Sequence, residues 1–341
     1  MRNACCSQLV RGIVQKMRKT RRFLSSGQLP LCMLLAGSFA AGCTANAQAG
    51  HAVSDPVQTL RDAIKIAEGN NNGPAVGGLW LRLAFQYENR LEYDAAEDAF
   101  THALGLLRTP ATQGPYAEAL GGLGALYFEA GRSADADKPL RKALAIFEST
   151  HDPFDAARLH VILAMNLLSE QRVREAEAES AEGIRVLNSL ADLEARQKVA
   201  AYLTHSCALC HMGQCSAALE DVHRAMKLAQ ANLPAASVDM MAVWLIRGYD
   251  EWKSGSLDAA AQSTMQALKT VQSLNNLPRP AFVNAQLAVL RQYDSILKAG
   301  HHKPEAKQVE GQIGHLESEQ PRLCRNCTVN AVALSNGYLR P

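Results

Sequence analysis

The chain has 341 residues, of which 48% are apolar and 20% charged. That is enough apolar surface to bury a sizeable core and enough charge to exclude a multi-span membrane protein; a chain this apolar is not wholly disordered either. The net charge of +2 is uneven, because residues 1–42 hold seven basic side chains and no acidic one, which leaves the remainder net acidic. An acidic body lacks the concentrated basic face that nucleic-acid binding requires.

The basic residues Arg2, Arg11, Lys16, Arg18, Lys19, Arg21 and Arg22 precede an apolar stretch from Leu29 to Gly42 that is too short to span a bilayer. A basic region followed by a short apolar region predicts an export signal over 1–42, with Met17 as a possible translation start. Two cleavage readings follow. Ala40-Ala41-Gly42-Cys43 resembles the lipobox of bacterial lipoproteins, which makes Cys43 a lipidation site with 43–54 as linker, although Ala40 stands where Leu is usual. Ala45-Asn46-Ala47 and Ala47-Gln48-Ala49 fit ordinary secretory cleavage, giving a soluble periplasmic form. Thr20-Arg21-Arg22-Phe23-Leu24 resembles a twin-arginine signal with its spacing one residue short. A cytoplasmic protein with residues 1–50 unprocessed is the remaining alternative.

A capping helix is expected over 55–69: Asp55 and Pro56 start it, Leu60, Ile64 and Ala67 keep helical spacing, and Gly69 ends it. Asn70 to Pro74 reads as a turn-rich link. The body then repeats itself. Trp80, Leu83, Ala84 and Tyr87, followed by Ala96, Phe100 and Ala103, recur as Leu120, Leu123, Gly124 and Tyr127 with Ala136, Leu140 and Ala143. More degenerate copies contain His160, Leu163, Ala164 and Leu167; Tyr202, Ser206 and Leu209; and Trp244 and Gly248. The small residues Ala84, Gly124, Ala164, Ser206 and Gly248 fall at intervals of 40, 40, 42 and 42 residues. A small residue lets two helices approach, and apolar side chains at three- and four-residue spacing fill the seam between them. Gly131-Arg132-Ser133, Gly213-Gln214 and Gly255-Ser256 mark the turns inside the hairpins. Phe282–Lys298 and Glu305–Leu316 form a sixth, more polar hairpin, and 319–341 is expected to be an irregular tail.

The first copy matches the tetratricopeptide signature nearly letter for letter and the next copy follows it, so the sequence over 77–318 resembles that family, and its long spacing resembles the kinesin-light-chain-like branch. The resemblance implies an all-α fold: an α-solenoid, a right-handed superhelix of about six helix-turn-helix hairpins, that binds a protein segment in a concave groove lined by first helices. Carried over position by position, that groove would present Phe85, Ala125, Met165, Cys207 and Tyr249, and with them Glu88, Phe128, Leu168, Cys210 and Trp252. These are mostly apolar or aromatic and suit an amphipathic or hydrophobic segment. Family members that clamp a C-terminal carboxylate use Lys, Asn and Arg, whereas Gly121 and Ala125 stand here. The same side chains could instead pack on one another inside a tightly wound superhelix. The implied role is a protein-interaction scaffold of the bacterial envelope, in the periplasm or outer membrane. Its partners would be other envelope proteins, with no nucleic acid and no membrane contact beyond a lipid anchor.

Nine cysteines remain to be placed. Cys207-Ala208-Leu209-Cys210-His211 spells the attachment sequence of c-type haem, so the alternative is a haem- or metal-binding protein using Cys207, Cys210 and His211, with Cys215 nearby. Against it, the motif lies in a first helix where Leu209 belongs to the seam, and structural cysteines with no cofactor are the simpler expectation. Cys324 and Cys327 could close a small disulfide loop in the tail. Neither a P-loop, a dinucleotide fingerprint, G-x-S-x-G nor H-E-x-x-H occurs. The expectation is a binding protein rather than an enzyme.

Overall fold

A computed structural model describes residues 55–323 apart from 70–71, 91, 191–194, 276 and 278. The export signal, the linker with Cys43, and Cys324 and Cys327 lie outside the described residues. Within them a single helix, α1 (Pro56–Glu68), precedes six hairpins: α2 (Gly73–Asn89) with α3 (Tyr93–Leu106), α4 (Gln113–Glu129) with α5 (Ser133–Ser149), and α6 (Pro153–Ser169) with α7 (Val173–Ser189). The chain continues with α8 (Ala195–His211) and α9 (Cys215–Asn232), α10 (Val238–Lys253) and α11 (Leu257–Gln272), and α12 (Arg279–Ala299) and α13 (Lys303–Leu323). No described helix is long and apolar enough to cross a membrane.

Local chemistry sets the helix starts. The Asp55 carboxylate caps α1 by accepting from the Val57 amide, and Asn72 does the same for Ala75, with Pro56 and Pro74 in the first turns where no amide hydrogen is needed. The array therefore begins at Gly73, four residues before the expected boundary. It also ends later, because α13 runs through Pro321 to Leu323. Leu316 is buried and Glu319 meets Arg279 of α12 at 2.6 Å, so α13 is docked as far as Glu319, the first residue of the expected irregular tail.

The periodic small residues mark where paired helices cross. A methyl group on Gly124 would stand 2.6 Å from Leu140 Cγ and 3.2 Å from the Leu140 backbone nitrogen, so α4 and α5 approach there as closely as two helices can. At Gly248 the space is taken by Thr264 Oγ1 of α11 and the Gln292 amide of α12, which donates to the Leu245 carbonyl and to Thr264 at 2.9 Å each. The facing positions Ala96, Ala136, Ala176, Ala218 and Ala260 are fully buried, as are Phe100, Leu140 and Val222 one turn on. Burying one such aromatic side chain contributes roughly 2–3 kcal/mol.

The hairpin turns share one geometry. Gly131, Gly213 and Gly255 have φ of 73°, 80° and 88°, and each amide reaches the carbonyl three residues back while the next amide reaches five back, closing the helix C-terminus. The third and sixth hairpins do this without glycine, since Gln171 and His301 occupy the left-handed region at 62° and 61°. A side chain there costs about 1 kcal/mol.

Two outcomes follow in thermal and denaturant unfolding. Gln171→Gly is expected to raise the unfolding midpoint by about 1–3 °C, because it removes that local cost and gives up only a long 3.4 Å hydrogen bond from the Gln171 amide to the Leu168 carbonyl. Gly124→Val is expected to destabilise by about 2–3 kcal/mol, since the crossing cannot admit its side chain.

Candidate functional site

The first helices do not present the expected groove. Glu88, Phe128, Met165, Leu168 and Tyr249 are each no more than 2% exposed, and Ala125, Cys207 and Cys210 are also buried. For these residues the expectation of an accessible partner surface is corrected. Phe85 and Trp252 alone among the candidates keep part of their surface. Phe85 lies edge-to-face on Phe100 at 5.2 Å, and Trp252 lies edge-to-face on Tyr249 at 6.2 Å with the Lys253 ammonium 4.4 Å over its ring. The reason is packing between first helices: α6 rests on α8, and α8 on α10, in addition to their own hairpin partners. From Ala156 to Leu168 every residue of α6 is buried. That segment is apolar nearly all round, which is the sequence mark of a helix enclosed on every side.

Enclosure also traps acids. Burial, reinforced by the neighbouring Glu129 carboxylate and opposed by Arg158, pushes the Glu88 carboxyl well above the usual range. Burial lifts Glu129 to about 8, opposed by the hydrogen bond that Tyr93 Oη donates to it at 3.4 Å. Burial likewise lifts Asp250 to about 8, opposed by the Ser206 hydroxyl that donates to it. Neither Glu88 oxygen has a hydrogen-bond partner. These carboxyls hold their protons in the folded protein where the unfolded chain, near 4, has lost them. The native state thus binds more protons between about pH 4 and 8, and stability falls as pH rises through that window. Denaturant unfolding from pH 5 to 9 is expected to show this fall, with Glu88→Gln making it shallower by up to about 1 kcal/mol per pH unit.

The cysteine motif is structural. Cys210 Sγ is bonded to Cys215 Sγ, a disulfide that joins the end of α8 to the start of α9. A haem attached at Cys207 and Cys210 would need the Cys210 thiol that this bond consumes, so the haem reading is corrected, and the same bond removes Cys210 and Cys215 as free thiolate ligands. Cys207 is fully buried and its thiol is pushed well up by burial and by Asp250. His211 Nδ1 donates to the Cys207 carbonyl at 2.8 Å, and its ring stacks on Tyr249 at 5.6 Å between centroids. Among the described residues no group of three His, Cys, Asp or Glu side chains is placed to hold a metal ion. The spacing alone could have suggested the pairing, because Cys210 and Cys215 flank the turn at Gly213-Gln214.

An open cleft lies elsewhere, between the first and second hairpins. It encloses about 550 Å³ and is lined by Leu107, Arg108, Thr109, Pro110, Gln113, Tyr116, Lys142 and Ile146. Lys142 donates to Tyr116 Oη at 2.8 Å and its ammonium lies 5.0 Å from the ring centre, while Arg108 Nε donates to the Leu104 carbonyl at 3.3 Å. Among the described residues neither cation meets a carboxylate. The lining therefore pairs an apolar floor of Leu107, Pro110 and Ile146 with a rim of hydrogen-bond donors and two uncompensated positive charges. Sequence reasoning missed it because its residues come from the loop between hairpins, the first turn of α4 and the second helix α5, and not from the groove positions of the first helices.

Residues 76–149, which make up α2 to α5, match the tetratricopeptide repeat family. Over those residues the chain carries tetratricopeptide repeats. Among solved structures this repeat protein is similar to BtubC (BKLC) from P. vanneervenii, at 15% identity over 68% of this chain and 91% of that one, with a TM-score of 0.51. It is similar to the Rap protein complexed with Competence and Sporulation Factor, at 14% identity over 79% of this chain and 82% of that one, with a TM-score of 0.55. At such identities the likeness concerns the fold alone. No curated protein sequence matches this tetratricopeptide chain.

Proposed function

We propose that this protein is a binding scaffold of a bacterial cell envelope, and that the cleft between its first two hairpins takes a partner segment in which an acidic side chain adjoins an apolar one. The observation that carries the binding site is the uncompensated pair Arg108 and Lys142 at the rim of an apolar-floored cleft. Such a pair gains most from a carboxylate that completes it, while Leu107 and Ile146 bury the neighbouring side chain. The tetratricopeptide fold makes a protein segment the fitting ligand class, and no reaction is assigned to it.

Export is supported from two directions. The basic-then-apolar order of residues 1–42 has the form of a signal, and the disulfide Cys210–Cys215 belongs to a class of bond that persists in oxidising compartments. Lipidation at Cys43 is the preferred tether. Cell fractionation checks it: Cys43→Ala is expected to move the protein from the membrane fraction to the soluble periplasmic one. Full-length protein in the cytosol would end the export reading.

Binding is checked by fluorescence anisotropy with a labelled peptide in which leucine alternates with glutamate, against the same peptide with glutamine. The acidic peptide is expected to bind, and Arg108→Glu with Lys142→Glu is expected to weaken it at least about tenfold, with a marked loss in high salt. Trp252→Ser is expected to leave that affinity unchanged. If Trp252→Ser alone abolished binding, the contact surface would be the exposed edge of α10 and not the cleft.

A further inference from the structure

We infer that the Cys210–Cys215 disulfide is a redox-sensitive latch that does in the fourth hairpin what an arginine clamp does in the second and third. In those two hairpins the residue just after the left-handed turn position is an arginine that reaches back to the second helix of the preceding hairpin. Arg132, after Gly131, meets Glu97 of α3 at 2.6 Å and Asp135 of its own hairpin at 2.8 Å. Arg172, after Gln171, meets Asp137 of α5 at 3.2 Å and Glu175 of its own hairpin at 2.6 Å. Each clamp thus fastens a turn both to itself and to its neighbour.

The pattern breaks at the fourth hairpin. Gln214 follows Gly213 where the arginine belongs, yet the carboxylate half of the clamp is retained: Glu177 of α7 lies 40 residues after Asp137, the interval that separates Asp137 from Glu97. With no guanidinium opposite, Glu177 sits 3.6 Å from His205 Nε2 instead. The part of the clamp that fastens the turn to its own hairpin is replaced by a covalent bond, from Cys210 in the last turn of α8 to Cys215 at the start of α9, while no tie to the preceding hairpin takes the place of the other part. The fifth hairpin has a tie of its own, since Glu251 of α10 accepts from Ser263 of α11 at 2.6 Å and from Arg247 at 2.8 Å. The fourth hairpin also has a tie between its helices, His205 Nδ1 of α8 with Asp221 of α9 at 2.6 Å, but its turn is fastened by a bond that a reductant can open.

Its surroundings give that opening a consequence. The two half-cystines pack with Ala218, Leu209, Tyr249 and Trp252, so the bond is part of the contact between the fourth hairpin and α10. Reduction by a dithiol transfers two electrons and two protons to the bond, giving the Cys210 and Cys215 thiols while the dithiol becomes a disulfide. Only Gln214 then follows the turn, and the junction to α10 loosens with it. Cys207 does not reshuffle the pair, because its buried thiol stays protonated and only the thiolate attacks a disulfide. A chain that crosses from a reducing to an oxidising compartment would close this latch after passage; that clause rests on the export reading, whereas the latch itself does not.

Hydrogen exchange read by mass spectrometry tests it on the full chain, with the Cys210–Cys215 link first verified by peptide mapping without reductant. Dithiothreitol is expected to speed exchange over 207–218 and 249–252 by about tenfold while leaving 113–149 unchanged. Gln214→Arg is expected to restore most of the lost protection in the reduced protein, by pairing with Glu177, and Glu177→Gln in the same chain to remove that rescue. Cys210→Ser with Cys215→Ser should match the reduced wild type; should that variant not fold, the reduced wild type and Gln214→Arg suffice. Absence of the linked peptide, equal exchange with and without dithiothreitol, or no rescue by Gln214→Arg would overturn the latch. None of these readouts depends on where the protein resides or on what the cleft binds.

Discussion

Everything else in this structure depends on the distance at which the two helices of a hairpin cross. At Gly124 and Gly248 the partner side chain occupies the space in which a Cβ would stand, and Ala84 and Ala164 at the equivalent positions are fully buried. A larger residue would hold the helices apart and leave Phe100 or Leu140 facing a gap, without atoms near enough for dispersion attraction on that side. Because the hairpins are thin, their first helices come close enough to pack on one another as well. This second closeness removes the groove: once α6 touches α8, and α8 touches α10, the face a looser array would offer to a partner becomes interior.

That difference explains what could be read from the sequence. The crossing residues recur at intervals of 40 or 42 residues, since each hairpin solves the same local problem, so the number of hairpins, their order and their turns were legible. Boundaries were less so where one residue type serves two purposes. Pro74 looked like a link and is the first turn of α2, while Pro321 looked like a stop and lies inside α13. Whether Phe128 or Met165 meets solvent is set by the neighbouring hairpin, which no local pattern records. The mostly apolar character of 156–168, broken only by Arg158, His160 and Asn166, was the one local sign of enclosure. The cleft was illegible for a related reason, as Arg108 and Lys142 are brought together only when two hairpins stack.

The interior carries more acid than an inert core needs. Glu88, Glu129 and Asp250 lie at the ends of first helices, where a free helix would leave them in water, and stacking has enclosed them. Burying an ionised carboxylate with no counter-charge costs far more than keeping its proton, so these groups enter the fold neutral. Their position ties the helix ends of successive hairpins to the proton concentration, and Asp250 does so next to the hydroxyl of Ser206 at a crossing position.

The fastenings differ in kind along the array, and so does what can loosen them. The arginine clamps of the second and third hairpins are solvent-exposed ion pairs, Arg132 and Glu97 keeping 45% and 31% of their side-chain surface, and such pairs contribute at most about 1 kcal/mol and weaken in salt. The disulfide of the fourth hairpin is indifferent to salt and proton concentration within the range where the clamps work, but it yields to a reductant. Since each hairpin gains stability from its neighbours, loosening one turn is felt at the junctions on both sides rather than across the whole chain. The turns of the second and third hairpins are therefore held by ionic ties, and the turn from α8 to α9 by a covalent one. Conditions that alter the second need not disturb the first.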